Sequence, residues 1–338
     1  MNRLEKYIIN NLSMLFLSIF SALFTIASVI FLIKLATYTA IIQLSVWEMA
    51  KLYIFTVPEL LFYTLPITFF VSAALTIFRL SNDNELIVLF ALGIHPKFIL
   101  KTLFKPALLL SLLLMFTFFV LFPHTKTLSR NFVSYKKSEA KFNLAASEFG
   151  HKFGNWLLYL GSKNNDETYS DIFLFNKNAE EEVLIGAKKA RIINDSGILR
   201  LKLTDGEGYS YSKEKFSQID FDIMYINDTL TSEIIPYQTT MEYWKEDKRS
   251  KKTPMFITSI LLSLFPIFSL FLVLSISVVH ARHQKSKIYL YLFLGILIYY
   301  GLTLSLHKTL LFYTIPAVSF MWLLTTYLIY KKIILSRF

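Results

Sequence analysis

The sequence predicts an α-helical polytopic membrane protein, six transmembrane helices with one all-β domain inserted between the third and the fourth. Three observations carry that expectation. There are six long runs almost free of charge, a mid-chain stretch that switches to two-residue alternation, and lysines and arginines concentrated beside the apolar runs. Only 17% of the 338 residues are charged and 54% are hydrophobic, whereas soluble domains carry about a quarter charged residues. Most of the chain is therefore suited to lipid.

The apolar runs fall at 7–33, 58–78, 98–122, 255–279, 288–306 and 313–330. Each is close to the ~20 residues that cross a ~30 Å hydrocarbon core as a helix. The first run is too long for a signal-peptide core and no small-residue cleavage site follows it, so it reads as an uncleaved anchor. The domains expected are 1–122 and 253–338 in the membrane, with 123–252 between them.

Basic residues give the orientation. One side of the six-span plan receives Arg3, Lys6, Arg79, Lys97, Lys101, Lys105, Arg282, Lys285, Lys287, Lys331, Lys332 and Arg337. The other side's short loops receive only Lys34, Lys51 and Lys308. Twelve against three puts both termini in the cytoplasm and residues 123–252 outside. The formal net charge of +11 has the same origin, because residues 124–252 carry 20 Lys+Arg against 19 Asp+Glu. Nucleic acid is not indicated.

The outer segment opens with a polar stretch of helical character over 125–146. Short alternating runs follow at 156–160, 171–175, 182–193, 198–203, 208–211 and 216–226, broken by Asn-Asp, Asp-Ser-Gly and Asp-Gly turn signals. About six half-buried antiparallel strands in this length suit a small sandwich, a jelly roll or an open barrel. A helix near 239–248 leads back to the membrane. Catalytic patterns are absent: no phosphate loop, no HExxH, no GxSxG elbow and no cysteine. The six histidines are scattered over both sides, and Glu180-Glu181-Glu182 reads as a solvated loop. No cofactor and no metal site is expected, and the chain is not expected to be an enzyme.

The most informative local stretch is Ser81-Asn82-Asp83-Asn84-Glu85-Leu86-Ile87-Val88-Leu89-Phe90-Ala91-Leu92-Gly93-Ile94-His95-Pro96. Ser81 or Asn82 can cap a helix whose first turn carries Asp83 and Glu85, where the helix dipole favours negative charge. Gly93 and Pro96 end it. A short helix over about 82–95 at the cytoplasmic face can rest in the headgroups. It can also dock into a motor, with Glu85 as charged anchor and Leu86, Leu89 and Phe90 as apolar knobs.

This stretch resembles the signature between spans two and three of the LptF/LptG permeases of the lipopolysaccharide-export ABC transporter. The matching residues are Asn84, where the family often has serine, with Glu85, Leu86, Ala91, Gly93 and Ile94. Val57-Pro58-Glu59 and Leu65-Pro66 are similar to that family's proline pair, and three spans, a β domain and three spans is its plan. The resemblance implies an inner-membrane transport subunit with a jelly-roll-like periplasmic domain, paired with a sibling permease as a heterodimer. A dimeric cytoplasmic ATPase would act through the 82–95 helix, and a membrane-anchored periplasmic jelly-roll protein would receive the lipopolysaccharide.

Lys34 follows the uncharged run of span one. It either snorkels to the headgroups or faces an anionic lipid headgroup, the second being what the resemblance implies. Lys308 lies on the same side. Pro66 and Pro266 fall inside spans and read as tolerated kinks. The rival reading is a membrane-anchored sensor or scaffold with a ligand-binding outer domain, and it is weakened by the lack of any long cytoplasmic segment.

Overall fold

A computed structural model of the chain describes residues 3–39, 44–142, 149–153, 156–164, 168–177, 181–195, 198–212, 215–227, 240–245, 252–278 and 287–336. The chain divides into two compact units. One comprises Met1–Ile33, Tyr53–Lys126 and Gln238–Phe338, the other Lys34–Leu52 and Thr127–Tyr237. It is a polytopic helical protein with an inserted β domain.

The helices run α1 Arg3–Thr39, α2 Val46–Asn82, α3 Glu85–Ala91, α4 Pro96–Phe116, α5 Phe122–Phe142, α6 Thr240–Lys245, α7 Lys252–Phe268, α8 Leu270–Ser277, α9 Ile288–Leu310 and α10 Thr314–Tyr330. Among the described residues five helices are long and apolar enough to cross a membrane. The pair α7 and α8, bent by 45° at Ser269, makes a sixth span if taken together. Pro266 lies inside α7, three residues before that break, and Ser269 Oγ donates to the Pro266 carbonyl. The proline removes an intrahelical bond, so this kink has an identifiable cause. Pro66, by contrast, is absorbed within an unbroken α2.

The helical unit has one continuous apolar core, in which α4 packs on α7 and α10 packs on α7, α8 and α9. In lipid each backbone carbonyl needs a partner from within the protein. A five-residue π-helical segment, Thr117–Leu121, joins α4 to α5 directly before Pro123. Pro123 has no N–H for the carbonyl of Phe119, and the Trp244 indole N–H donates to that oxygen at 3.3 Å instead. Trp244 also packs tilted against Phe118 and edge-on against Phe256, so the same side chain fills volume and satisfies the backbone. Likewise the buried Tyr299 hydroxyl donates to the Leu261 carbonyl at 2.7 Å. Thr64, Thr68, Thr76, Thr102 and Ser263 return their hydroxyls to carbonyls one turn earlier.

In the other unit, β1 Phe149–Phe153, β2 Trp156–Lys163, β3 Thr168–Lys177, β4 Glu181–Asp195, β5 Ile198–Ser212 and β6 Phe216–Asn227 form one antiparallel sheet in sequential order. That connectivity is a meander. The crossed order that defines a jelly roll, the more specific expectation, does not occur among the described strands. The runs at 198–203 and 208–211 belong to one fifteen-residue strand, β5, because Asp205-Gly206 continues the ladder where a turn was expected. Glu181 and Glu182 likewise open β4 rather than a loop, and Glu182 pairs with Lys177. Glu180 lies outside the described residues.

Alternation explains which face is buried, provided one irregularity is included. Leu160, Ile172, Ala187, Gly206 and Phe221 stand in one cross-strand row, and Tyr169, Ala190, Leu203 and Met224 in the next inward row. Along each strand these rows are three residues apart instead of two. The intervening Asp171, Lys188, Asp205 and Asp222 are all exposed, and Asp171 and Asp205 have φ of 54° and 53°. Every strand from β3 to β6 thus changes inward phase at the same level, a crease across the whole sheet. Before α2, Ser45 and Glu48 form a reciprocal cap: Glu48 Oε2 accepts from the Ser45 N–H at 2.9 Å, and Ser45 Oγ accepts from the Glu48 N–H at 3.3 Å. Lys136 on α5 pairs with the same carboxylate. Lys136 and the two Ser45 hydrogen bonds hold the Glu48 carboxyl below its usual range.

Candidate functional site

The stretch singled out by the sequence folds as a helix–turn–helix–turn between α2 and α4. Its first half corrects the expected cap. Helix α2 runs on through Ser81 and Asn82, and the chain reverses at Asp83 and Asn84, the latter left-handed with φ of 62°. No side chain caps α3 at this end. Asparagine is one of the few residues that accept this backbone region, which gives Asn84 a physical reason to differ from serine. The resulting α3 is seven residues long, shorter than the 82–95 expectation.

Its far end closes on Gly93, with φ of 84°. The Gly93 N–H donates to Phe90 O at 3.0 Å and the Ile94 N–H to Leu89 O at 3.1 Å, the bond pair of a Schellman termination. His95 then caps α4 by accepting from the Lys97 N–H, and Pro96 takes the first helical position.

The side chains sort differently from the sequence expectation. Leu86 is completely buried in the core of the helical unit, and Leu89 and Phe90 pack against that core half-buried. These three are the inner face of α3: Leu86 is covered, while Leu89 and Phe90 keep part of their surface exposed. The outward apolar side chains are Val88 and Leu92, 55% and 74% exposed. Asp83 is exposed and lies 3.9 Å from Arg79, a weak surface pair.

Glu85 is half-buried because Tyr7 reaches it. The Tyr7 hydroxyl stands 3.0 Å from both carboxylate oxygens, joining the first turns of α1 to the first turn of α3. Two residues earlier, Glu5 accepts from Lys105 of α4 at 3.2 Å. The start of α1 is therefore tied to both helices that flank the turn. A cleft of about 360 Å³ lies between α1 and α3, bounded by Leu4, Tyr7, Ile8, Leu80 and Val88, with Asp83 and Glu85 at its rim. The sequence reading missed Tyr7. It lies 78 residues from Glu85, and no local pattern announces the pairing.

Lys34 is exposed near the end of α1, as either reading of it requires. Lys308 lies in α9, and its side chain is outside the described residues. Beyond its first turns α1 has few neighbours: 6% of its most apolar window is buried, against 67% for α2. One side of α9, with Tyr289, Phe293, Leu297 and Leu304, is exposed as well.

No individual characterised protein matches the chain significantly. The family described as lipopolysaccharide export system permease LptF/LptG does match, over residues 6–336, which takes in nearly all of the helical unit, the sheet and the α3 turn. The chain therefore belongs to the LptF/LptG family of lipopolysaccharide export permeases.

Proposed function

We infer that this chain is one of two sibling permeases in an ABC transporter that lifts lipopolysaccharide from the inner membrane, driven by a separate dimeric cytoplasmic ATPase. Its termini and α3 face the cytoplasm, and the β unit faces the periplasm, where a membrane-anchored jelly-roll protein receives the lipid. The twelve-to-three distribution of basic residues supports this orientation.

The observation that carries the mechanism is the Tyr7–Glu85 contact. It ties a short helix with an exposed tip, Val88 and Leu92, to the least buried of the spans. A motor gripping α3 would move the base of α1 without having to deform the core that Leu86 belongs to. Helix α1 and the open side of α9 supply apolar surface for acyl chains and for the corresponding helices of the sibling. In this reading the exposed Lys34 near the end of α1 meets a phosphorylated headgroup. A motor is needed because each CH₂ drawn from hydrocarbon into water costs ~0.8 kcal/mol. Along the outer route an edge strand of the sheet offers unpaired backbone groups to a similar β domain.

The test is co-purification. Glu85→Lys puts a cation where Tyr7 and the motor need an anion, and it should lower the amount of ATPase recovered with the permease. Unchanged stoichiometry would remove α3 from the docking role.

A further inference from the structure

Away from the α1 and α3 site, the helical unit has a second recess of about 640 Å³, an open-sided groove between α8, α9 and α10. Its wall is built from Leu272 and Ile276 of α8, Leu294, Ile298 and Leu302 of α9, and Ile329 of α10, with Trp322 at its side. The polar lining groups Ser275, Thr325 and Thr326 spend their hydroxyls on backbone carbonyls of their own helices. Apart from Tyr291 and the Trp322 indole N–H, what remains is an apolar lining within the spans.

Three features say what fills it. The first is length. From Tyr291 to Leu302 the lining follows α9 for eleven residues, ~16 Å at ~1.5 Å per residue. That is half of a ~30 Å hydrocarbon core, the depth of one leaflet. The second is charge at one end. Lys287 is the residue that precedes α9, four before the lining Tyr291, and Lys332 follows the end of α10, beside the lining Ile333; both are exposed. The third is position. The groove-lining face of α9 (Tyr291, Leu294, Ile298) points away from the face carrying Tyr289, Phe293 and Leu297, which the transport route requires, and both faces are exposed.

We propose that this groove holds one acyl chain of an anionic membrane phospholipid, in the leaflet next to Lys287 and Lys332, with the headgroup phosphate between those lysines. The lipid is a resident component that wedges α9 against α8 and α10. It is not cargo.

Trp322 makes the test direct. In a variant with Trp47, Trp156 and Trp244 changed to Phe, Trp322 is the only tryptophan, and its fluorescence is quenched by brominated acyl chains that enter the groove. The full chain is reconstituted in vesicles containing dibrominated phosphatidylglycerol or dibrominated phosphatidylcholine. Half-quenching should need a much smaller fraction of the anionic lipid. Each of Lys287→Gln and Lys332→Gln should raise that fraction about fivefold. Ile298→Trp blocks the groove, and in a Trp322→Phe background its own emission should not distinguish the two lipids. Added lipopolysaccharide should leave the Trp322 quenching unchanged. Equal quenching by both lipids, indifference to the lysine changes, or displacement by lipopolysaccharide would each overturn the proposal.

Discussion

Replacing Tyr7 by phenylalanine removes one oxygen and leaves the ring against the cleft, so it isolates the link between α1 and α3. The hydroxyl contacts both oxygens of the Glu85 carboxylate at 3.0 Å. A hydrogen bond to a charged acceptor contributes ~1.5–3 kcal/mol when shielded from water. Tyr7 is 45% exposed, so water competes, and the figure falls to ~1 kcal/mol. A free energy of ~1 kcal/mol is about a fivefold change in an equilibrium. The permease should therefore recruit its ATPase normally and hydrolyse ATP at a rate within roughly twofold of the parent, while lipopolysaccharide released per ATP falls about fivefold. The assay is ATP-driven release from proteoliposomes, run as a cycle with Glu85→Gln. In the double variant the two effects should not add, because either change alone already breaks the bond. Full coupling in Tyr7→Phe, or strict additivity, would refute transmission through this contact.

Three further outcomes follow from local geometry. Asn84→Gly should be tolerated, whereas Asn84→Val forces a β-branched residue to the left-handed φ of 62° and should cost ~1–2 kcal/mol or more, read as a lower melting temperature and weaker ATPase recovery. At Gly206 an added Cβ would run into the Gly186 carbonyl oxygen and the Phe221 ring, so Gly206→Ala should destabilise the β unit by ~1–3 kcal/mol, detected as faster limited proteolysis of that unit alone. Because the Glu48 carboxyl is held below its ordinary pKa, its contribution is complete above the ordinary carboxylate range and is lost as the pH falls through the depressed folded value. The melting difference between the parent and Glu48→Gln should accordingly be present at neutral pH and close in acid.

How far the fold could be read from the sequence depended on the range of the signal. The spans are written in uninterrupted hydrophobicity, and even the broken one is marked by Pro266. The α3 turn was legible at its far end, where Gly93 and Pro96 carry backbone constraints of their own. It was misread at its near end, where Ser81 is an ordinary capping residue but the left-handed turn falls three residues later, at Asn84. Leu86, Leu89 and Phe90 announce an apolar face without saying what it meets, and here it meets the protein's own core. Asp205-Gly206 carries a genuine turn signal, but the energy of the ladder on both sides overrides it and leaves a crease. Strand β1 is too short and too polar in pattern to stand out. The Tyr7–Glu85 and Lys105–Glu5 pairs join residues 78 and 100 positions apart, a distance at which a single sequence has no periodicity to report.

The most direct test of the central claim is transfer of lipopolysaccharide from proteoliposomes to a soluble acceptor, measured with this chain alone and with its sibling and the ATPase added. Transfer should require the complete assembly and ATP, and the isolated chain should neither hydrolyse nucleotide nor release lipid. Hydrolysis by the chain alone, or transfer that persists without the ATPase, would contradict a permease that borrows its motor.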